Sequence, residues 1–479
     1  MDASTIPLAD DFPVATRADW LAAVEWTLKG AGIDSLAGRT PDGLDVRALY
    51  TAADAPGRTA FLPAPRGAER AWDVRAAVAH PDPARANSQI LEALAGGAGS
   101  VLVTIDPAGA GGVAVGSAED LERLLDGVKL DLAPVALDAG FLGREGAQWL
   151  AAAAKASPAA PLALHLDPIG ALAASGASPG PVEGHLAAAA DLATRQADIY
   201  PRASHFLASG RAVHEAGGSP AAELAFAAAC ALAYAKALTA AGLPLATAFE
   251  RIVLGLSVDQ DALTSIAKLR AARIVWARIA GACGAAAPAR IEARSSGRML
   301  TRADPWTNLV RLTGAAFAAA VGGADAVIVG AFTDAIGSPT PPARRLALAT
   351  QLIAMEEAHL GAVADPLGGA WAIEALTDDL ARAAWSRFTA IEAAGGVVQA
   401  LKSGAVAGEV DAERAVLKAR LASGEIAIVG VTEFVNAAPT APHIEAVAPR
   451  AAAAADPRLP GPDSHCPPLA PIHLEDLVA

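Results

Sequence analysis

An alternation restricts the fold more than any other feature. From about residue 95 onward, short β-like runs are each followed by a stretch of helical composition. The runs lie at 100–105, 132–137, 161–166, 204–208, 251–258, 289–293, 325–331 and 369–373. Neighbouring runs start about 30–45 residues apart, enough for a strand, a helix and two loops. Eight such units in sequence predict an α/β chain built on a (β/α)8 TIM barrel over 95–396. A doubly wound open sheet satisfies the same alternation. Residues 1–94 read as an N-terminal arm and pre-barrel segment, 397–435 as a helical extension, and 436–479 as a Pro/Ala-rich extended tail.

Local signals mark several boundaries. Thr16 and Asp19 have capping-box spacing, and Trp20, Ala23, Val24 and Leu28 follow at helical spacing, predicting a helix over 16–29. Residues 44–50 suit a short strand and 425–431 a further edge strand. Asp304-Pro305 and Thr340-Pro341-Pro342 each put Pro at a helix start.

Composition removes whole function classes. Hydrophobic residues are 53% of the chain and the net charge is −14, with no clustered Lys or Arg. A nucleic-acid partner is therefore excluded, since phosphate neutralisation needs such clusters. The longest apolar stretches, 221–242 and 315–332, are broken by Glu223 and Lys236 and by Gly322, Gly323 and Asp325. No membrane span is expected. The acidic N-terminus has no apolar signal core, so the expected location is the cytoplasm. Cys230, Cys283 and Cys466 have no metal-binding spacing and suit a reducing compartment.

Familiar catalytic signatures are missing: there is no P-loop, GxGxxG, HExxH or GxSxG. His165 and His205 fall in β-like runs, His359 ends a helical run, and all three read as structural. His214-Glu215 follows a run, which in a barrel puts it near the active face. Asp463-Ser464-His465 looks superficially like the start of a cobalamin loop, but Cys466-Pro467-Pro468 follows in place of glycine.

The stretch Glu356-Glu357-Ala358-His359-Leu360-Gly361-Ala362-Val363-Ala364-Asp365-Pro366-Leu367-Gly368-Gly369 resembles a segment of methylmalonyl-CoA mutases. Trp371 and 374–380 continue the likeness. Thr350-Gln351-Leu352, the Ala267–Arg273 stretch (AKLRAAR), Asp304-Pro305-Trp306-Thr307-Asn308, Gly322-Gly323-Ala324-Asp325 and 429–434 match in order, so the resemblance spans roughly 12–435. It implies a barrel that threads a coenzyme A thioester along its axis. It also implies a cobalamin domain over the barrel mouth, and radical interconversion of methylmalonyl-CoA and succinyl-CoA.

The same resemblance implies three losses. Arg211 and Ala212 stand where an active chain carries Tyr and His; the His would hydrogen-bond the thioester carbonyl, which alanine cannot do. Ala77 stands where a Tyr lies against the radical site. Leu166 replaces a polar Gln. His214, two residues beyond Ala212, and Arg251, matching an arginine that faces the substrate carboxylate, remain as substrate-binding candidates. No catalytic residue is expected. Such losses on a kept scaffold resemble the small, non-catalytic subunit of heterodimeric methylmalonyl-CoA mutase. The implied partner is the large catalytic subunit. Adenosylcobalamin is expected in that partner, with no cofactor bound by this chain and no cobalamin domain in its tail. Val101, Val103, Val327 and Val329 are expected to fill the barrel lumen. One alternative is an active acyl-CoA mutase barrel working with a separate cobalamin-binding chain; another is an unrelated barrel enzyme such as an aldolase.

Overall fold

The computed structural model describes residues 15–56, 70–452 and 457–478. Eight parallel strands close a barrel: β1 (Asp73–Val78), β2 (Ser100–Thr104), β3 (Val135–Asp138), β4 (Ala163–Leu166), β5 (Ser204–Ser209), β6 (Ile252–Val258), β7 (Ile291–Ser295) and β8 (Ala326–Ile328). Each pairs with its sequence neighbour and β8 closes on β1. This is the (β/α)8 barrel expected from the alternation. Two details differ. The first strand lies at Asp73–Val78, ahead of the expected start at 95. The run expected at 369–373 is instead a loop entering the Trp371–Ala393 helix. Two charges within six residues hid β1 from a search for apolar runs. Gly368-Gly369 followed by a helically periodic segment explains the second difference.

The lumen also differs from expectation. Val101, Val103, Val327 and Val329 pack outward with the surrounding helices, in one cluster that includes Ala86 and Ile90. Successive strand residues face opposite ways, so Leu102, Ala136, Ala163 and Ile328 point inward and form a separate buried cluster.

Local rules set the helix ends. Thr16 and Asp19 close the predicted capping box on the Arg17–Leu28 helix. Ser219 caps the Pro220–Ala240 helix. Among the described residues that helix alone is long and apolar enough to cross a membrane, but here most of it is buried in the barrel's helical layer. Its Glu223 is fully buried and ion-paired to Lys268. In the expected strand at 44–50, only Asp45–Val46 pairs, with Gly38–Arg39. At 425–431 there is an isolated bridge, Val429 to Glu433.

The extended tail runs along loops that follow the strands. Ile444–Glu445 pairs with Ser338–Pro339 after β8. The amide of Ala452 donates to Pro107 after β2 (2.7 Å). Ser464–His465 pairs with Ala177–Ser178 after β4. The amides of Ile472 and Leu474 donate to Glu215 after β5 and Arg298 after β7. The tail thus follows the rim of the C-terminal face, where barrel enzymes carry out their chemistry.

Candidate active site and the family it belongs to

The lumen is crossed by a chain of charges. The sequence places Asp73 and Arg75 on β1 and Glu292 and Arg294 on β7, each pair two residues apart and so on one face. Arg75 reaches Asp73 (2.8 Å) and Glu292 (2.5 Å). Arg294 reaches Glu292 and Asp138, both at 2.9 Å. Ser100 links in, accepting from Arg75 Nε (2.8 Å) and donating to Asp73 (2.6 Å). Burial drives the Glu292 carboxyl upward, but Arg294, His165 and Arg75 outweigh it and hold it far below the carboxylate range. Sequence reasoning missed this layer. Its signal was present as charged residues at i and i+2 in otherwise apolar strands.

His165 sits beside the layer, its Nε2 3.6 Å from Glu292. Burial, more than the nearby charges, lowers its pKa to about 4, so it is neutral at pH 7. Its φ is +47°, a left-handed backbone that costs a non-glycine residue roughly 1–3 kcal/mol. The β4–β5 register shifts at this point.

Above the layer, at the C-terminal mouth, the structure gathers Ala77, Asp138 and Arg211. Ala77 is exposed toward the end of β1. Arg211 opens the Arg211–Glu215 helix after β5. Burial and then Arg294 pull its guanidinium below the usual value, while Glu215 and Asp138 act the other way. Ala212 packs on the main core. His214 is buried among residues that follow β5, β6 and β7, with Nδ1 3.3 Å from Glu223 and Nε2 3.0 Å from Ser296 and 3.8 Å from Asp259. Burial and Arg298 lower its pKa. Burial pushes Glu223 up, but Lys268 and His214 hold it at about 2. Arg251 lies at the opposite, N-terminal end of its strand. Its guanidinium donates to the carbonyls of Pro201, Ala203 and Ala197, which secures the turn leading into β5.

The recognisable sequence segments perform structural work. Arg270, fully buried, is clamped between Asp365 and Glu374. Arg273 donates to the carbonyls of Ala289 (2.6 Å) and Gly323 (2.5 Å) and pairs with Asp325 (3.0 Å). Asn308 ties Thr301 to Phe332. Gly361 approaches Ala71 so closely that a Cβ would fall 2.0 Å from the alanine methyl.

A family model described as methylmalonyl-CoA mutase matches residues 39–457. The chain belongs to the methylmalonyl-CoA mutase family. It is 40% identical over 452 residues to the methylmalonyl-CoA mutase small subunit of Streptomyces virginiae, covering 90% of this chain and 72% of that protein. It is 33% identical over 459 residues to the small subunit from Propionibacterium freudenreichii subsp. shermanii (90% and 70%). It is 40% identical over 423 residues to a probable small subunit from Mycobacterium tuberculosis (83% and 66%).

One buried acid gives a pH-dependent expectation. Asp167 caps the helix after β4 and accepts from Gly170 (3.0 Å) and the Tyr234 hydroxyl. Burial nevertheless raises its pKa to about 7, against about 3.9 unfolded. A raised folded pKa gives stability that is present below the unfolded value and lost as pH rises through the folded one. The loss from pH 4 to 7 is roughly 4 kcal/mol. Asp167→Asn keeps the cap and both acceptor contacts. Unfolding midpoints at pH 5 and pH 8 should show the variant gaining on wild type as pH rises. An equal difference at both values would refute the assignment.

Proposed function

We propose that this chain is the non-catalytic small subunit of a cytoplasmic, heterodimeric, adenosylcobalamin-dependent methylmalonyl-CoA mutase, packed against a larger chain that carries out the interconversion of methylmalonyl-CoA and succinyl-CoA. The observation that carries the reading is the charge layer. A threaded thioester needs a lumen open from end to end, and here Asp73, Arg75, Glu292, Arg294 and Asp138 bridge it. Opening that path would strand buried charges. The mouth above supports the same reading: Ala77 and Ala212 offer nothing to polarise a carbonyl, and Arg211 is engaged with the charges around it.

The cofactor does not fit the residues that look most like a cobalamin loop. Asp463 accepts from the Gly180 amide (2.7 Å) and Ser464 from that of Val182 (3.1 Å), so both fasten the tail. His465 is exposed. We therefore assign adenosylcobalamin to the partner. Small-subunit relatives support a large-subunit partner for this chain.

The test is recovery of the tagged chain from its native cell, with the mass and cobalamin content of the complex measured. One larger, cobalamin-carrying chain per copy is expected. Recovery with a small cobalamin-only protein would favour the active-barrel alternative.

A further inference from the structure

Much of the barrel's helical ring turns charge to the solvent. Arg85 and Glu92 stand exposed on the Pro83–Ala95 helix, Glu122 and Arg123 on Ala118–Leu124, and Asp191 and Arg195 on Val182–Gln196. The Pro220–Ala240 and Ala262–Ala282 helices are overlaid by the Trp371–Ala393 helix. The last two helices of the ring differ. In the Asn308–Val321 helix after β7, Leu312, Ala315, Ala316 and Ala319 turn inward. Trp306, Val310, Thr313 and Phe317 remain exposed, at spacings of four, three and four residues, which keep to one helix face. In the Pro341–Leu352 helix after β8, and the turn that continues it, Pro342, Leu346, Ala349 and Ile353 repeat that spacing.

The two helices pack side by side. Within 306–317 and 342–353, Arg345 is the only charged side chain in an exposed position. From Leu346 to Ala349 the second helix is continuously apolar, yet none of those four residues is buried; such a run in a helix usually lies in a core. The apolar surface continues at the start of the first helix. Arg311 donates to the Val429 carbonyl (2.6 Å). Trp306 donates to that of Thr440 (2.8 Å) while stacking on Phe332 (4.8 Å). These bonds fasten the 429–440 segment, whose Val429, Phe434 and Val435 are exposed. Phe434 keeps a left-handed backbone (φ +51°) although 82% of it faces solvent. Such a backbone is unfavourable for a bulky residue, and strain of this kind clusters where a chain binds something.

Trp306, Val310, Phe317, Leu346, Ile353 and Phe434 are each 40–82% exposed. At about 150–250 Å² for an aromatic side chain, they leave on the order of 600 Å² of apolar surface uncovered. That is the upper end for the largest patch on a monomer. It approaches the roughly 800 Å² that each partner gives to a stable complex. We propose that this two-helix face is the surface on which the larger chain docks, through a largely uncharged, apolar face of its own. The identity of the occupant rests on the subunit assignment above. A permanent complex needs a more apolar surface than a transient one. Elsewhere on the ring, exposed large apolar residues such as Leu91, Ile199 and Leu263 stand singly. A second copy of this chain fits less well. Each copy carries a net charge of −14 with no Lys or Arg cluster to offset it, so a symmetric pair brings like charge together around the seam.

The complex recovered from the cell tests this. Val310→Glu with Leu346→Glu should lower the yield of larger chain per tagged copy at least about tenfold. The unfolding midpoint of the purified chain should stay close to that of the wild type, since both side chains are exposed. Leu132→Glu with Ile199→Glu, exposed positions outside the face, should leave the yield unchanged. Hydroxyl-radical footprinting gives a second readout: Trp306 and Phe434 should oxidise several-fold more slowly in the complex than in the chain alone. A folded Val310→Glu/Leu346→Glu variant that keeps its larger chain overturns the face and leaves the subunit assignment standing. Equal oxidation in both states does the same. An unaltered chain that recovers no larger chain overturns both. Recovery of only a second copy of this chain, released by the same variant, overturns the choice of occupant.

Discussion

Arg270→Leu is expected to destabilise the chain by about 3–5 kcal/mol, the usual cost of leaving buried charges without their partner. The Arg270 side chain is wholly buried, and its guanidinium joins Asp365 to Glu374 while Nε approaches Thr377 (3.4 Å). Removing it strands two carboxylates at the junction of the 358–369 loop and the Trp371–Ala393 helix. That loop should then become a preferred site of proteolysis, since its hold on the barrel is lost. Urea unfolding and limited proteolysis check both outcomes. A cost below about 1 kcal/mol, typical of an exposed ion pair, would mean the clamp contributes little.

Glu292→Gln is the second large expectation, also about 3–5 kcal/mol. Glu292 is the central carboxylate of the lumen layer, shared by Arg75 and Arg294. Without its charge the two arginines keep one acid each, Asp73 and Asp138, and His165 loses its nearest acid. The double variant Arg75→Gln/Glu292→Gln should be less destabilised than the sum of its single changes, because both members of one interaction go together. Strict additivity would mean that the layer is not an energetic unit.

Much of the barrel was legible because βα spacing and helix caps are local signals. Seven of the eight strands overlap runs visible in the sequence, and the Thr16–Asp19 cap closes as its spacing predicts. The inside of the barrel was not legible. Strands buried on both faces read as continuous apolar runs, so nothing local says whether Val101 or Leu102 points to the axis. A shift of one residue exchanges the two faces. The valines were assigned inward and the structure turns them outward. β1 escaped for a related reason. Its Asp73 and Arg75 look like surface residues until Glu292 and Ser100, more than twenty residues away, supply their partners.

The candidate site was legible in part. Arg211, Ala212 and Ala77 stand out as altered positions by resemblance alone. Arg251 stands out by resemblance, and His214 by its place after a strand and near Ala212. The structure spends Arg251 on three backbone carbonyls and His214 on a buried cluster with Glu223 and Ser296. Such contacts are long-range and carry no sequence signature.

The central claim is that this barrel supports a catalytic partner and performs no turnover itself. Its most direct test is the rate of succinyl-CoA formation by the purified chain alone, supplied with methylmalonyl-CoA and adenosylcobalamin, beside that of the complex recovered from the cell. The account predicts turnover by the complex and none above background by the chain alone, including after Arg211→Tyr/Ala212→His supplies the side chains the resemblance implies, above a lumen still closed by Arg75 and Glu292. Succinyl-CoA formation by the unaltered chain alone would contradict it.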